Sequence, residues 1–192
     1  MTGVRCAGPG AFTGRILHGG FHYAGATTAI ACTAAAVDCG ATWYRDADAD
    51  GYGSEIDKVS ACDPPPGYIA RAGDCSDANG AIWRRPGEAR DLLLAHDTVA
   101  GTTSLSWTAP LDPGSTTVTY DTLRSVDPAN FGTATAICLE TQGADTLSVD
   151  AASPAPGKAF SYLVRARNTC SNGIGPLGRR SNHAVRSGRT CP

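Results

Sequence analysis

From Leu92 onward the chain alternates apolar and polar residues over short stretches, with turn residues between them. Period-two segments bounded by Gly, Pro, Asn or Asp read as half-buried strands. The pattern predicts strands at Asp91–Ala95, Thr103–Thr108, Thr117–Ser125, Thr135–Leu139, Thr146–Val149, Ala159–Asn168 and Ser181–Arg186. Turn signals separate them at Asp112-Pro113-Gly114, Pro154, Pro156-Gly157 and Asn172-Gly173. Seven short strands in roughly 100 residues argue a β-sandwich with Greek-key connections. The pattern before this region differs. Residues 41–88 are loop-rich and acidic, and residues 1–40 scatter Ile16, Phe21, Tyr23 and Ile30 among glycines, predicting short strands or an irregular segment. The expected organisation is therefore an N-terminal segment (1–40), a loop module (41–88) and a sandwich (89–192).

Composition sharpens that division. The 192 residues carry 31 Leu, Ile, Val and Phe, of which only 11 fall in residues 1–88. Five of the eight Cys fall in the same stretch. A segment so poor in core residues needs disulfides or a metal to fold. An even number of scattered Cys, with no paired CxxC spacing, points to a disulfide framework and an extracellular or periplasmic setting. Eight Cys allow 105 connectivities. Cys62–Cys75 is the pairing favoured by the loop between them, and Cys138–Cys170 is expected at one end of the sandwich. No apolar run approaches a membrane span, and no apolar leader follows Met1, so the expectation is a mature or truncated secreted chain.

The candidate chemistry lies in residues 46–57, DADADGYGSEID. Asp46, Asp48 and Asp50 occupy positions 1, 3 and 5 of a Ca²⁺ loop, Gly51 the sharp turn at 6, Tyr52 the carbonyl position 7 and Asp57 position 12. Three carboxylates two residues apart repel one another unless a cation offsets their charge. Asp57 is shorter than the Glu that closes an EF-hand, and no amphipathic helix flanks the loop, so this is a Ca²⁺ loop without EF-hand helices. Asp74 and Asp77 form a second acidic cluster able to complete the coordination. Ca²⁺ is favoured over Mg²⁺ because the loop supplies many protein oxygens, whereas Mg²⁺ keeps its waters.

WYRDADADGYGSEIDKVSACDPPPGYIARAGDCSDAN (43–79) resembles the metal-binding repeats of the MopE type found in secreted bacterial proteins. The matching positions are Tyr44, Asp46, Asp48, Asp50, Gly51, Tyr52, Gly53, Cys62, Gly67, Tyr68, Asp74, Cys75 and Asp77; Ser76 stands where those repeats carry Asp. SLSWTAP (104–110), VTYDTLRS (118–125) and YLVRARN (162–168) resemble strands B, C and F of a fibronectin type III-like domain. The resemblance implies a mainly β protein: a fibronectin type III-like sandwich preceded by a loop-rich, disulfide- and calcium-stabilised module. It also implies spacing, display or binding rather than catalysis.

Weaker signals leave this reading in place. Ser, His and Asp are present without any catalytic context, so no enzyme is expected. His18 and His22 sit in HGGFH, where Gly19-Gly20 works against a helix that would pair them. Trp43 and Trp83 offer a glycan platform only if their rings are exposed in a groove. The acidic balance argues against nucleic acid. Residues 41–91 sum to −4, 92–149 to −5 and 150–192 to +6. That partition predicts a basic end of one molecule meeting an acidic region of the next, hence a homo-oligomer or homopolymer such as an extracellular bacterial filament or tube, or a surface adhesion module. The alternative is a carbohydrate-binding or accessory module of a larger secreted protein, with a surface glycan or protein as partner.

Overall fold

The computed structural model describes Arg5–Cys6, Cys32–Thr33 and residues 41–192. Strands β1 (Arg5–Cys6) and β2 (Cys32–Thr33) pair antiparallel; His18 and His22 lie outside the described residues. In the loop module, β3 (Thr42–Arg45), β4 (Ser54–Ser60) and β5 (Tyr68–Ile69) form a small antiparallel sheet in the order β4-β3-β5. This module, loop-rich in sequence, thus has a sheet of its own. A bulge between Tyr44 and Arg45 shifts the β3–β4 register where the chain enters the aspartate loop.

The sandwich comprises β6 (Arg90–Asp97), β7 (Thr102–Thr108), β8 (Thr119–Ser125), β9 (Ala136–Gly143), β10 (Leu147–Asp150) and β11 (Ser161–Arg167). Two three-stranded antiparallel sheets result, in the orders β10-β7-β6 and β11-β8-β9. Six of the seven strands predicted from the alternation are present. No described residue is helical, and no helix is long and apolar enough to cross a membrane.

Alternation explains the packing. On β7, Leu105 and Trp107 point inward and meet Tyr120, Val164 and Ala166 of the facing sheet. The Trp107 and Tyr120 rings sit edge to face at 5.4 Å. The β8–β11 register then places Leu123 beside Leu163 and Asp121 beside Arg165 on the opposite face. That face is buried too, under Phe131, Leu177 and Cys191. The C-terminal segment therefore lies over the outside of the second sheet and makes a second core. Fully buried Leu105 and Leu123 each contribute about 2 kcal/mol.

The expected strand at Ser181–Arg186 does not form. The chain begins a seventh strand earlier: Gly175 N–H donates to the Ala166 carbonyl (2.8 Å) and Ile174 bridges Arg167. Pro176 follows at once, has no N–H to continue the ladder and turns the chain away. Leu177 then inserts into the second core and the remaining residues cross the sheet face.

The disulfides also differ from expectation. Cys75 bonds Cys170, 95 residues away, and Cys138 bonds Cys191. Cys62 is disulfide-bonded too, but not to Cys75. The reason is topological: the turn between β11 and the aborted seventh strand carries Cys170 to the acidic loop, while the C-terminal crossing carries Cys191 to β9.

The loop module and sandwich share a hydrogen-bonded seam. Trp83 and Arg84 N–H both donate to the Gly114 carbonyl (2.9 Å each), Thr116 N–H to Ala81 and Gly87 N–H to Asp112. Gly114 has φ +71° and lies so close to the Arg84 carbonyl that no side chain fits there.

Candidate metal centre

The aspartate loop is built by its own backbone donors. Gly51 N–H donates to Asp46 Oδ2 (3.1 Å), Tyr52 N–H to Asp50 Oδ1 (2.8 Å) and Ser76 N–H to Asp74 Oδ1 (2.8 Å). Gly51 makes the turn at φ +90°, and Ala49 is also left-handed at φ 62°. Each of these three aspartates thereby has one oxygen fixed and the other turned elsewhere.

Those other oxygens are the finding. Asp46 Oδ1, both oxygens of Asp48, Asp50 Oδ2 and Asp74 Oδ2 are buried and accept no hydrogen bond. Asp46, Asp48 and Asp50 each place an oxygen within 4.8 Å of the others, close enough for one ion to touch all three. Burial of such groups without a partner is costly. Burial pushes the Asp50 carboxyl above its ordinary value, and the charges of Asp48, Asp74 and Asp46 add to this against the Tyr52 N–H. Burial likewise raises Asp74, joined by the charges of Asp48, Asp77 and Asp46 against the Ser76 N–H. Asp74 therefore belongs electrostatically to the triad although it is distant in sequence. The triad could hold a metal ion.

The other sequence-derived candidates are placed as follows. Asp77 flanks the cluster and spends Oδ1 on the Ala47 N–H (3.2 Å). Asp57 points away along β4: Tyr68 O–H donates to it (2.9 Å) and Arg45 forms an ion pair with it at 3.4 Å. The Tyr52 ring is buried towards the sandwich, with its O–H on Asp112 (3.2 Å) and Arg71 over the ring at 4.7 Å.

Asp112 was not singled out by the sequence, yet it is the junction. Besides Tyr52 it accepts Trp83 Nε1–H and Gly114 N–H and pairs with Arg84 at 3.2 Å. Burial works against its charge, but these donors and Arg84 hold its pKa below the usual carboxylate range. Its local signal was the Asp-Pro-Gly turn; its partners come from residues far upstream. Trp43 and Trp83 are half-buried, and both indole N–H groups are spent within the fold, on Ala61 and Asp112.

No family model matches this sequence, and no curated protein does. Among solved structures, the chain is similar to an Fn3-like protein from Clostridium thermocellum at 18% identity and a TM-score of 0.37, covering 56% of this chain and 97% of that one.

Proposed function

We propose that the chain is a non-enzymatic, secreted structural module stabilised by Ca²⁺, used as a subunit of an extracellular bacterial filament or tube or as a surface adhesion module. The observation that carries the metal reading is the convergence of Asp46, Asp48 and Asp50, each with an oxygen within 4.8 Å of the others, in a loop where five carboxylate oxygens of Asp46, Asp48, Asp50 and Asp74 are buried without a hydrogen bond. These four are the proposed ligands, with the Tyr52 carbonyl and Asp77 completing the sphere; Asp57, held by Tyr68 and Arg45, is left out. Oxygen-only donors favour a hard cation over copper, and the number of protein oxygens favours Ca²⁺ over Mg²⁺. The resemblance to MopE-type repeats supports the same assignment. Binding energy absent from the unfolded chain becomes folding energy, which suits a module with few large apolar residues. The disulfides fit an oxidising, extracellular setting.

Thermal unfolding with Ca²⁺, with Mg²⁺ and after EDTA tests this. At 100 times Kd, Ca²⁺ is expected to add about 2.7 kcal/mol, with Mg²⁺ adding much less. Unchanged unfolding after chelation would sink the metal assignment.

A further inference from the structure

The aborted seventh strand leaves a slot. Strands β6 and β11 each end their sheet, and beyond Ala166 no described strand pairs with the outer edge of β11. Two cavities lie along the seam between these edges. One, of about 640 Å³, is lined by Leu92, Trp107, Val164 and Leu177; the other, of about 240 Å³, by His96, Phe160 and Tyr162. On β6, Leu94 lies between Leu92, which lines the larger cavity, and His96, which lines the smaller. Its register partner Leu105 shares its face and is fully buried, yet Leu94 is 53% exposed. Among the described residues, β6 is thus left with an uncovered apolar position on the face it shares with Leu105.

The same molecule has a second unpaired edge. Strand β4 ends the small sheet, and its Ile56 is 96% exposed. Charge fixes how the two edges fit. The larger cavity, beside Leu163 and Val164 in the middle of β11, carries Glu88, Asp91 and Asp112 against the single cation Arg90, while the smaller, beside its start, carries His96 and Lys158. On β4, Glu55 precedes Ile56 and Lys58 follows it.

We infer that the β6–β11 slot takes strand β4 of a second copy, parallel to β11, with Ile56 over Leu92 and Leu94, Lys58 towards Glu88 and Asp91, and Glu55 towards Lys158. Main-chain bonds to the β11 edge supply affinity, and the apolar side chain supplies register. The contact is heterologous, since slot and strand are different surfaces, so it propagates head to tail unless it closes into a ring. It rests on the reading of this chain as a self-assembling module and names the surfaces that would assemble.

The test is sedimentation of the full chain in Ca²⁺ over a wide concentration range, with Ca²⁺ binding measured by calorimetry on the same samples. Wild type should associate progressively. Ile56→Asp and Leu94→Asp, both at exposed positions, should each stay monomeric while binding Ca²⁺ normally. Mixed together, they should form dimers and nothing larger, because each retains one intact surface. A wild-type chain that stays monomeric throughout, or an Ile56→Asp chain that still associates, overturns the inference. If Ca²⁺ binding is intact in either case, the metal assignment survives that failure.

Discussion

The aspartate loop and the C-terminal crossing are both strand-poor, and they satisfy their backbones in opposite ways. In the loop, carboxylates accept backbone N–H groups: Asp46 from Gly51, Asp50 from Tyr52, Asp74 from Ser76 and Asp77 from Ala47. In the crossing, guanidinium groups donate to backbone carbonyls: Arg165 to Arg189, Arg167 to Cys191, Arg189 to Ala136 and Arg180 to Ala129. Arg85 reaches the Ile174 carbonyl in the same manner. A buried backbone group without a ladder needs a partner, and each region supplies it with one sign of charge. Part of each charge block in the sequence is therefore spent on the chain's own backbone. The difference lies in what is left over. Arg165 and Arg167 close on buried Asp121 of β8 at 3.0 and 3.3 Å, so the two innermost cations of the basic region share a counter-charge. The acidic region ends with carboxylate oxygens that accept no hydrogen bond, and its Asp46–Asp48–Asp50 triad could hold a cation.

The same substitution in the two regions should break this comparison most sharply. Asp121→Asn leaves buried Arg165 without its counter-charge, and loss of one partner of a buried pair costs about 3–5 kcal/mol. Asp48→Asn should abolish Ca²⁺ binding yet leave the metal-free protein as stable as wild type or slightly more so, because it removes repulsion. Urea unfolding of both variants in EDTA checks the opposite signs. If Asp48→Asn proved as damaging as Asp121→Asn without metal, the loop's carboxylates would be structural acceptors.

The Cys75–Cys170 disulfide joins the two regions. Replacing both with Ala should cost about 2–5 kcal/mol and also weaken Ca²⁺ binding, since Cys75 is the neighbour of Asp74. Removing Cys138–Cys191 should cost a similar amount with Ca²⁺ affinity unchanged. Paired unfolding and calorimetric titrations separate these outcomes.

The regions also differ in pH response. Asp50 and Asp74 have raised folded-state pKa values, so their contribution to stability is present at low pH and lost as pH rises through those values. Burial opposes the charge of Asp150, but the Ala152 N–H, Arg124 and Tyr162 hold its pKa low. Its contribution is therefore present above the ordinary Asp value and lost only in more acidic solution. Without metal, Tm should rise as pH falls from 7 towards the ordinary Asp value, then drop below it. With Ca²⁺ bound the rise should disappear, because protons then compete with the ion.

What was legible in the sequence follows contact range. Asp46, Asp48, Asp50 and Gly51 were readable because the loop closes on its own neighbours, and six strands because alternation is local. Asp57 fitted the spacing but was diverted across the sheet to Arg45 and Tyr68, partners that only the β3–β4–β5 pairing supplies. The disulfides differ from the expected pairs because Cys170 is placed by the turn that follows β11 and Cys191 by the crossing after Pro176. Pro176 is the local mark of that crossing, and it is not among the turn signals read between the predicted strands. The arginine–carbonyl bonds of Arg85, Arg165, Arg167, Arg180 and Arg189 span 24 to 89 residues and leave no short-range mark except the excess of Arg over Lys.

That excess gives the smallest test. Arg189 Nη1 donates to the Ala136 carbonyl at 2.8 Å, while its own carbonyl accepts from Arg165. Lys in its place keeps the charge but replaces a rigid planar fork with a flexible point donor. If the basic region works through directed bonds to carbonyls, Arg189→Lys should lose about 1 kcal/mol, a fall in Tm of roughly 2–4 °C for a chain of this size. The loss should persist in high salt, because a buried bond is poorly screened. An Arg189→Lys protein with unchanged Tm, or one whose deficit vanishes with salt, would mean that charge alone acts there, and the contrast between the two regions would reduce to sign.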